Sequence, residues 1–133
     1  MSVINPPTPP TPPSHLFAYG TLMKGEARHH LLEPARITSI VAASISGELV
    51  NLGEYPGLRL SPYIKTRVCG ELIELEALDD IMEKLDAEEG PQFRREMVNV
   101  TAENGRTQFA WTYVLASNAP SLPVIESGDW HRK

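Results

Sequence analysis

A chain of 133 residues with a formal net charge of −5 is one domain's worth of sequence, long enough to bury a single core. Its acidic balance argues against nucleic acid as a partner, because phosphate binding needs a basic surface; a small anionic ligand, held by a few local donors, stays open. No apolar run reaches the roughly 20 residues that cross a bilayer, the start lacks a signal-peptide pattern, and the lone Cys69 cannot close an internal disulfide, so a cytoplasmic location is expected.

Residues 1–14, MSVINPPTPPTPPS, hold half of the chain's 12 prolines. Proline cannot donate to a sheet ladder, and this composition buries too little to fold, so the segment reads as a disordered tail. A docking motif for a proline-recognition domain is the alternative. The folded domain is expected over 15–133.

It opens with a buried strand, His15 to Tyr19, which breaks at Gly20 into the loop of AYGTLMKG. That loop is either an ordinary turn or a cradle of backbone amides for an anion. Gly25 to Glu33 reads as a short helical segment stopped by Pro34. The apolar, β-branched and alternating stretches ITSIVAASISGELVNL, GLRLS and RVCGELIEL read as strands. ALDDIMEKLDAEEG is the clearest helix. REMVNV and QFAWTYVL follow as strands joined by TAENGRT, whose Asn104-Gly105 is a hairpin-turn signal. In the last strand Phe109, Trp111, Tyr113 and Leu115 share one face and smaller residues the other. Strands outnumber helices, which gives an α+β class with a curved or barrel-like sheet.

Glu89 is the most informative residue. Helix positions separated by 4, 7 and 11 share a face, so Leu78, Ile81, Met82 and Leu85 form one apolar stripe. Glu89 lies four residues beyond Leu85 and falls within that stripe, whereas Asp79, Glu83, Asp86 and Glu88 fall off it and are expected in solvent. An inward carboxylate needs a partner, a proton or a task. Gly90 is a helix terminator, so the dipole at the helix end and partial burial both push the Glu89 pKa upward, into the range useful for proton transfer. The bland alternative ends the helix earlier and turns Glu89 to solvent or onto Arg94 or Arg95.

Other candidates carry less. His29 and His30 are adjacent, diverge on a helix and have no third ligand in spacing, so they read as a surface pair rather than a metal site. Cys69, in a strand with no histidine near it in sequence, reads as a small buried apolar residue rather than a nucleophile. Serine-hydrolase, phosphate-loop and dinucleotide patterns are absent.

Two separated segments, FAYGTLMKGEARHHLL and LDAEEGPQFRREMVNV, together resemble the gamma-glutamylcyclotransferase-like family. Tyr19-Gly20-Thr21-Leu22 is similar to its Tyr-Gly-(Ser/Thr)-Leu loop, and Leu85-Asp86-x-x-Glu89-Gly90 to its Leu-Asp-x-x-Glu segment. GELVNLGEYPGLRL, VCGELIEL and ESGDW complete an ordered set over residues 15–130. The resemblance implies a small mixed β-barrel-like sheet with flanking helices, and catalysis without metal or organic cofactor. It implies that a γ-glutamyl amine or γ-glutamyl amino acid cyclises to 5-oxoproline and a free amine. Carried residue by residue, the catalytic acid/base is Glu89, Tyr19-Gly20-Thr21-Leu22 is the substrate-holding wall, and the backbone N–H groups of Gly20, Thr21 and Leu22 hold the substrate carboxylate or the developing oxyanion. Many members carry a tyrosine where this chain has Phe93; Tyr113 or Tyr55 is a candidate to supply that phenol. Arg94 and Arg95 are candidates for a carboxylate anchor or plain strand residues, and Trp130 for the pocket mouth or tail packing. The partner implied is a small γ-glutamyl compound, taken by a monomer or homodimer. Two other readings stand beside this one. A non-catalytic binding module would keep the pocket for sensing, and a cyclotransferase of other specificity would strip a γ-glutamyl protecting group from a biosynthetic intermediate.

Overall fold

Alternation and β-branched content set seven strands among the described residues: β1 (His15–Ala18), β2 (Ile37–Ser46), β3 (Glu48–Asn51), β4 (Pro56–Arg59), β5 (Arg67–Leu75), β6 (Phe93–Ala102) and β7 (Thr107–Leu115). The structure, a computed structural model, describes residues 14–61, 63–116 and 122–133. The proline-rich reading of residues 1–13 lies outside the described residues. Five strands close a barrel in the order β1-β5-β2-β6-β7, and β3 and β4 form a separate antiparallel pair. β1 runs parallel to β7 at Leu16 and Trp111, while the other neighbours are antiparallel, so the sheet is mixed. The α+β barrel expectation holds.

Residues opposite one another in a ladder share a face, so the register assigns the interior. Phe17 pairs with Leu72, Ile45 with Val68, and Ala43 with Ala102. On this face Phe17, Val68, Ala43, Ile45, Val100, Ala110, Thr112 and Val114 are all buried. Thr112 is the polar member, and its hydroxyl donates to the Phe17 carbonyl at 2.9 Å. The smaller side chains of β7 therefore fill the barrel, because a closed five-stranded sheet leaves little room inside. The larger face of β7 is external, running from exposed Phe109 to buried Tyr113 and Leu115, where β4 packs against it.

The hairpin expected at Asn104-Gly105 is present: Gly105 has φ 84°, and the Ala102 N–H donates to the Arg106 carbonyl at 2.8 Å. Three expectations need correction. Gly25 to Glu33 is not one helix; the chain turns at Gly25 and then forms a 3-10 helix, His29–Ala35, with Pro34 inside it. A short 3-10 segment tolerates that proline, and the Arg36 N–H still reaches the Glu33 carbonyl at 3.0 Å. ALDDIMEKLDAEEG divides into a 3-10 turn, Leu78–Asp80, and an α-helix α1, Met82–Glu89, joined at Ile81. Cys69 is exposed rather than buried, because it lies on the outer face of β5. Among the described residues no helix is long and apolar enough to cross a membrane.

Gly70 sets where β1 can run. A Cβ there would lie 2.3 Å from the Ala18 carbonyl oxygen and 2.8 Å from Phe17 Cζ. The first clash is with backbone, which no rotamer relieves. Gly70→Ala is therefore expected to cost about 2 kcal/mol or more and to lower the melting midpoint in thermal or urea unfolding. A variant that melts with the wild type contradicts this account of the β1–β5 contact.

Candidate active site

The apolar stripe survives the break at Ile81. Leu78, Ile81, Met82 and Leu85 are all buried, and the Leu85 N–H donates to the Ile81 carbonyl at 2.9 Å, so the helical phase carries through. Glu89 is the last residue of α1, capped by Gly90 at φ 81°, and is half-buried. The alternative in which it turns outward to Arg94 or Arg95 does not occur: Arg94 pairs with Glu96 at 2.9 Å and Arg95 with Asp86 at 3.5 Å. The Glu89 carboxylate makes no hydrogen bond or ion pair among the described residues.

It borders a narrow pocket that opens to solvent, whose other walls are residues 17–22, Arg28, Tyr55-Pro56 and Tyr113. Residues 17–22 are the end of β1 and the loop of AYGTLMKG. The loop is shaped by its own carbonyls: the Met23 N–H donates to Gly20 at 3.0 Å and the Arg28 N–H to Thr21 at 2.8 Å. The N–H groups of Gly20, Thr21 and Leu22 find no acceptor among the described residues. Unpaired backbone donors in a concave, partly dry wall suit an anion or a polarised oxygen. Gly20 permits the pocket to narrow there, since a Cβ on it would lie 2.6 Å from Pro56 Cγ.

Two tyrosines fix the walls relative to one another. The Tyr19 hydroxyl donates to the Tyr113 carbonyl at 2.6 Å, and the Tyr113 hydroxyl donates to Asp86 Oδ1 at 2.7 Å. Burial, and after it the negative charge of Glu89, hold the Tyr19 phenol well above its ordinary range. Burial and the bond to Asp86 do the same for Tyr113. Neither phenol is poised to ionise. Asp86, which the helical arithmetic assigns to solvent, is exposed yet ties α1 to β7, and it also receives Arg95, whose guanidinium lies 4.9 Å over the Trp111 ring.

Burial raises the Glu89 pKa to about 6; the nearby charge of Arg28 opposes that rise and Glu88 adds to it. Arg28 is the pocket's cation, and sequence reasoning missed it. It lies inside the GEARHHLL segment, but no periodicity marks it, because a turn and not a helix aims it. Its guanidinium donates to the Glu88 carbonyl at 3.2 Å. Tyr55 and Pro56 enter from the start of β4, and Gln92 donates to the Tyr55 hydroxyl. Both Tyr55 and Tyr113 border the pocket, whereas Phe93 is buried against the Tyr55 ring at a centroid distance of 6.2 Å. Trp130 is buried outside the pocket, with its indole N–H on Glu26 at 3.1 Å, so it packs the C-terminal segment. His29 and His30 bond separate carbonyls, Leu22 and Ala27, and no acidic, histidine and cysteine cluster of metal-binding type occurs among the described residues.

Comparison with known proteins agrees with this fold. The model of the family described as gamma-glutamyl cyclotransferase, AIG2-like matches residues 16–132. The chain is 36% identical over 124 residues to the gamma-L-glutamyl-butirosin B gamma-glutamyl cyclotransferase of Niallia circulans, covering 87% of this chain and 74% of that protein. An AIG2-like protein from Mus musculus superposes with a TM-score of 0.70 at 26% identity, over 87% of this chain and 88% of that one. YkqA from Bacillus subtilis superposes with a TM-score of 0.69 at 29% identity, over 88% of this chain, which spans 39% of that longer one. With a family match over residues 16–132, a relative at 36% identity and a mixed barrel, the chain belongs to the gamma-glutamyl cyclotransferase, AIG2-like family.

Proposed function

We propose that this member of the family converts a γ-glutamyl amine or γ-glutamyl amino acid to 5-oxoproline and the free amine, with Glu89 moving the proton. The observation that carries the reading is a half-buried Glu89 carboxylate, without a hydrogen-bond or ion-pair partner among the described residues, lining one pocket with Gly20, Thr21 and Leu22, whose N–H groups also lack an acceptor there.

The chemistry fits these few parts. Nucleophile and electrophile belong to one molecule, so the pocket has only to fold the substrate into a reactive shape. The α-ammonium is inert until it loses a proton, and a carboxylate with a pKa of about 6 is ionised and basic enough near neutrality to take it. The freed amine attacks the γ-carbonyl carbon, a ring C–N bond forms, and the carbonyl oxygen becomes anionic beside the backbone N–H groups, each contributing typically a few kcal/mol. As the old C–N bond breaks, Glu89 returns its proton to the departing nitrogen. The second proton of the ring nitrogen follows to the released amine, which leaves as an ammonium, and charge balances. No metal or organic cofactor enters this scheme. Tyr19 and Tyr113 shape the wall rather than transfer protons, since their hydroxyls are already committed.

A second reading keeps the chemistry and enlarges the leaving group. It draws support from the relative at 36% identity, whose name specifies γ-L-glutamyl-butirosin B, and it makes the substrate a biosynthetic intermediate capped by a γ-glutamyl group.

Incubation with a panel of γ-glutamyl amines, dipeptides and γ-L-glutamyl-butirosin B, with 5-oxoproline followed by mass spectrometry, separates these readings by which amine is released. Glu89→Gln is expected to lower kcat by about 10²- to 10⁴-fold, and Glu88→Gln to leave it within a few-fold. Absence of product across the panel sinks the reading and favours a non-catalytic binding module; equal loss in both variants sinks the assignment of the proton transfer to Glu89. In the wild type kcat/KM should rise as pH increases through about 6, since the base must be ionised.

The same carboxylate bears on stability. Its pKa is raised above the ordinary 4.5 to about 6, so the folded state disfavours the charged form; this penalty is absent below about pH 4.5, where both states are protonated, and full above about pH 6. Glu89→Gln is thus expected to melt higher than the wild type at pH 8 and to lose that advantage near pH 4. A variant less stable at pH 8 contradicts the assigned environment.

A further inference from the structure

We infer that Arg28 is the anchor for the α-carboxylate of the substrate's γ-glutamyl group, which leaves the N–H groups of Gly20, Thr21 and Leu22 to the γ-carbonyl oxygen. The inference rests on the cyclotransferase reading and divides the pocket between its two anionic groups.

The γ-glutamyl head is an α-amino acid zwitterion, with ammonium and carboxylate separated by a single carbon. A cation beside the group that takes a proton from that ammonium is therefore well placed for the carboxylate. The pocket offers one such pairing: Glu89 for the ammonium and Arg28 for the carboxylate. The Arg28 charge acts on Glu89 strongly enough to oppose the effect of its burial.

Arg28 is also held ready. Its backbone N–H donates to the Thr21 carbonyl at 2.8 Å, fixing it to the loop, and its guanidinium donates to the Glu88 carbonyl at 3.2 Å, fixing it beside the residue that precedes Glu89. One backbone carbonyl does not neutralise a guanidinium, and no carboxylate lies within ion-pair distance of Arg28 among the described residues. Arg94 and Arg95, by contrast, already have carboxylates and do not border the pocket. A half-buried guanidinium with donors to spare has the planar fork that suits a carboxylate. With the α-carboxylate there, the loop donors have no second anion to hold except the oxygen that gains charge in the ring-closing step.

The test compares binding of 5-oxoproline with that of 2-pyrrolidone, the same ring without the carboxylate, to the full chain by protein NMR titration. The wild type should prefer 5-oxoproline by about 10- to 100-fold, and the Arg28 side-chain N–H resonance should shift with 5-oxoproline alone. Arg28→Met should abolish the preference without weakening 2-pyrrolidone, and Arg28→Lys should restore part of it. With a γ-glutamyl substrate, Arg28→Met should act mainly through KM, where Glu89→Gln acts through kcat. No preference in the wild type, or a preference kept in Arg28→Met, overturns the assignment. Carboxylate-selective binding without turnover would instead sink the cyclotransferase reading and leave the Arg28 site standing.

Discussion

A carboxylate carried on the apolar stripe of a packed helix cannot be fully hydrated without unpacking the helix. Leu78, Ile81, Met82 and Leu85 bury that stripe, and Glu89 follows from it by one helical turn. The function proposed for this small barrel depends on that constraint. Hydration lost at Glu89 costs stability, and no ion pair among the described residues offsets it. What remains is a carboxyl group whose proton affinity lies near neutrality, placed at the edge of a pocket.

The rest of the molecule holds that edge in place. Tyr19 bonds to the Tyr113 backbone and Tyr113 bonds to Asp86 of α1, so a loop from β1, a barrel strand and the helix bearing Glu89 form one connected unit. The small interior residues of β7 let the barrel close, and Gly70 and Gly20 let backbone and Pro56 approach where a side chain would not fit. The outer face of β7, with its larger residues, then meets β4 and forms part of the pocket wall.

Much of this was legible in the sequence, for physical reasons. Period-2 and period-3.6 patterns report burial directly, so the strands and the stripe could be read without a structure. The inward aspect of Glu89 stayed open on periodicity alone, because a helix end can fall a turn early, and the family resemblance favoured it. The Asn104-Gly105 turn was legible because few residues accept its backbone angles. Arg28 was not legible, because a turn sets its direction and turns leave no periodic mark. Pro56 and Tyr55 reach the pocket only through β4 packing on β7, a long-range contact. The break at Ile81 was hidden because a 3-10 turn and an α-helix share an apolar face over so short a span. Asp86 looked solvated and is exposed, yet its partner Tyr113 comes from a strand far along the chain.

The most direct test of the account is an NMR titration of the Glu89 side-chain carboxyl in carbon-13-labelled protein, with Glu89→Gln used to assign the signal. The account requires a midpoint near 6, above the ordinary 4.5, moving higher still in Arg28→Met. A Glu89 carboxyl that titrates like an exposed glutamate, and ignores the loss of Arg28, would contradict it.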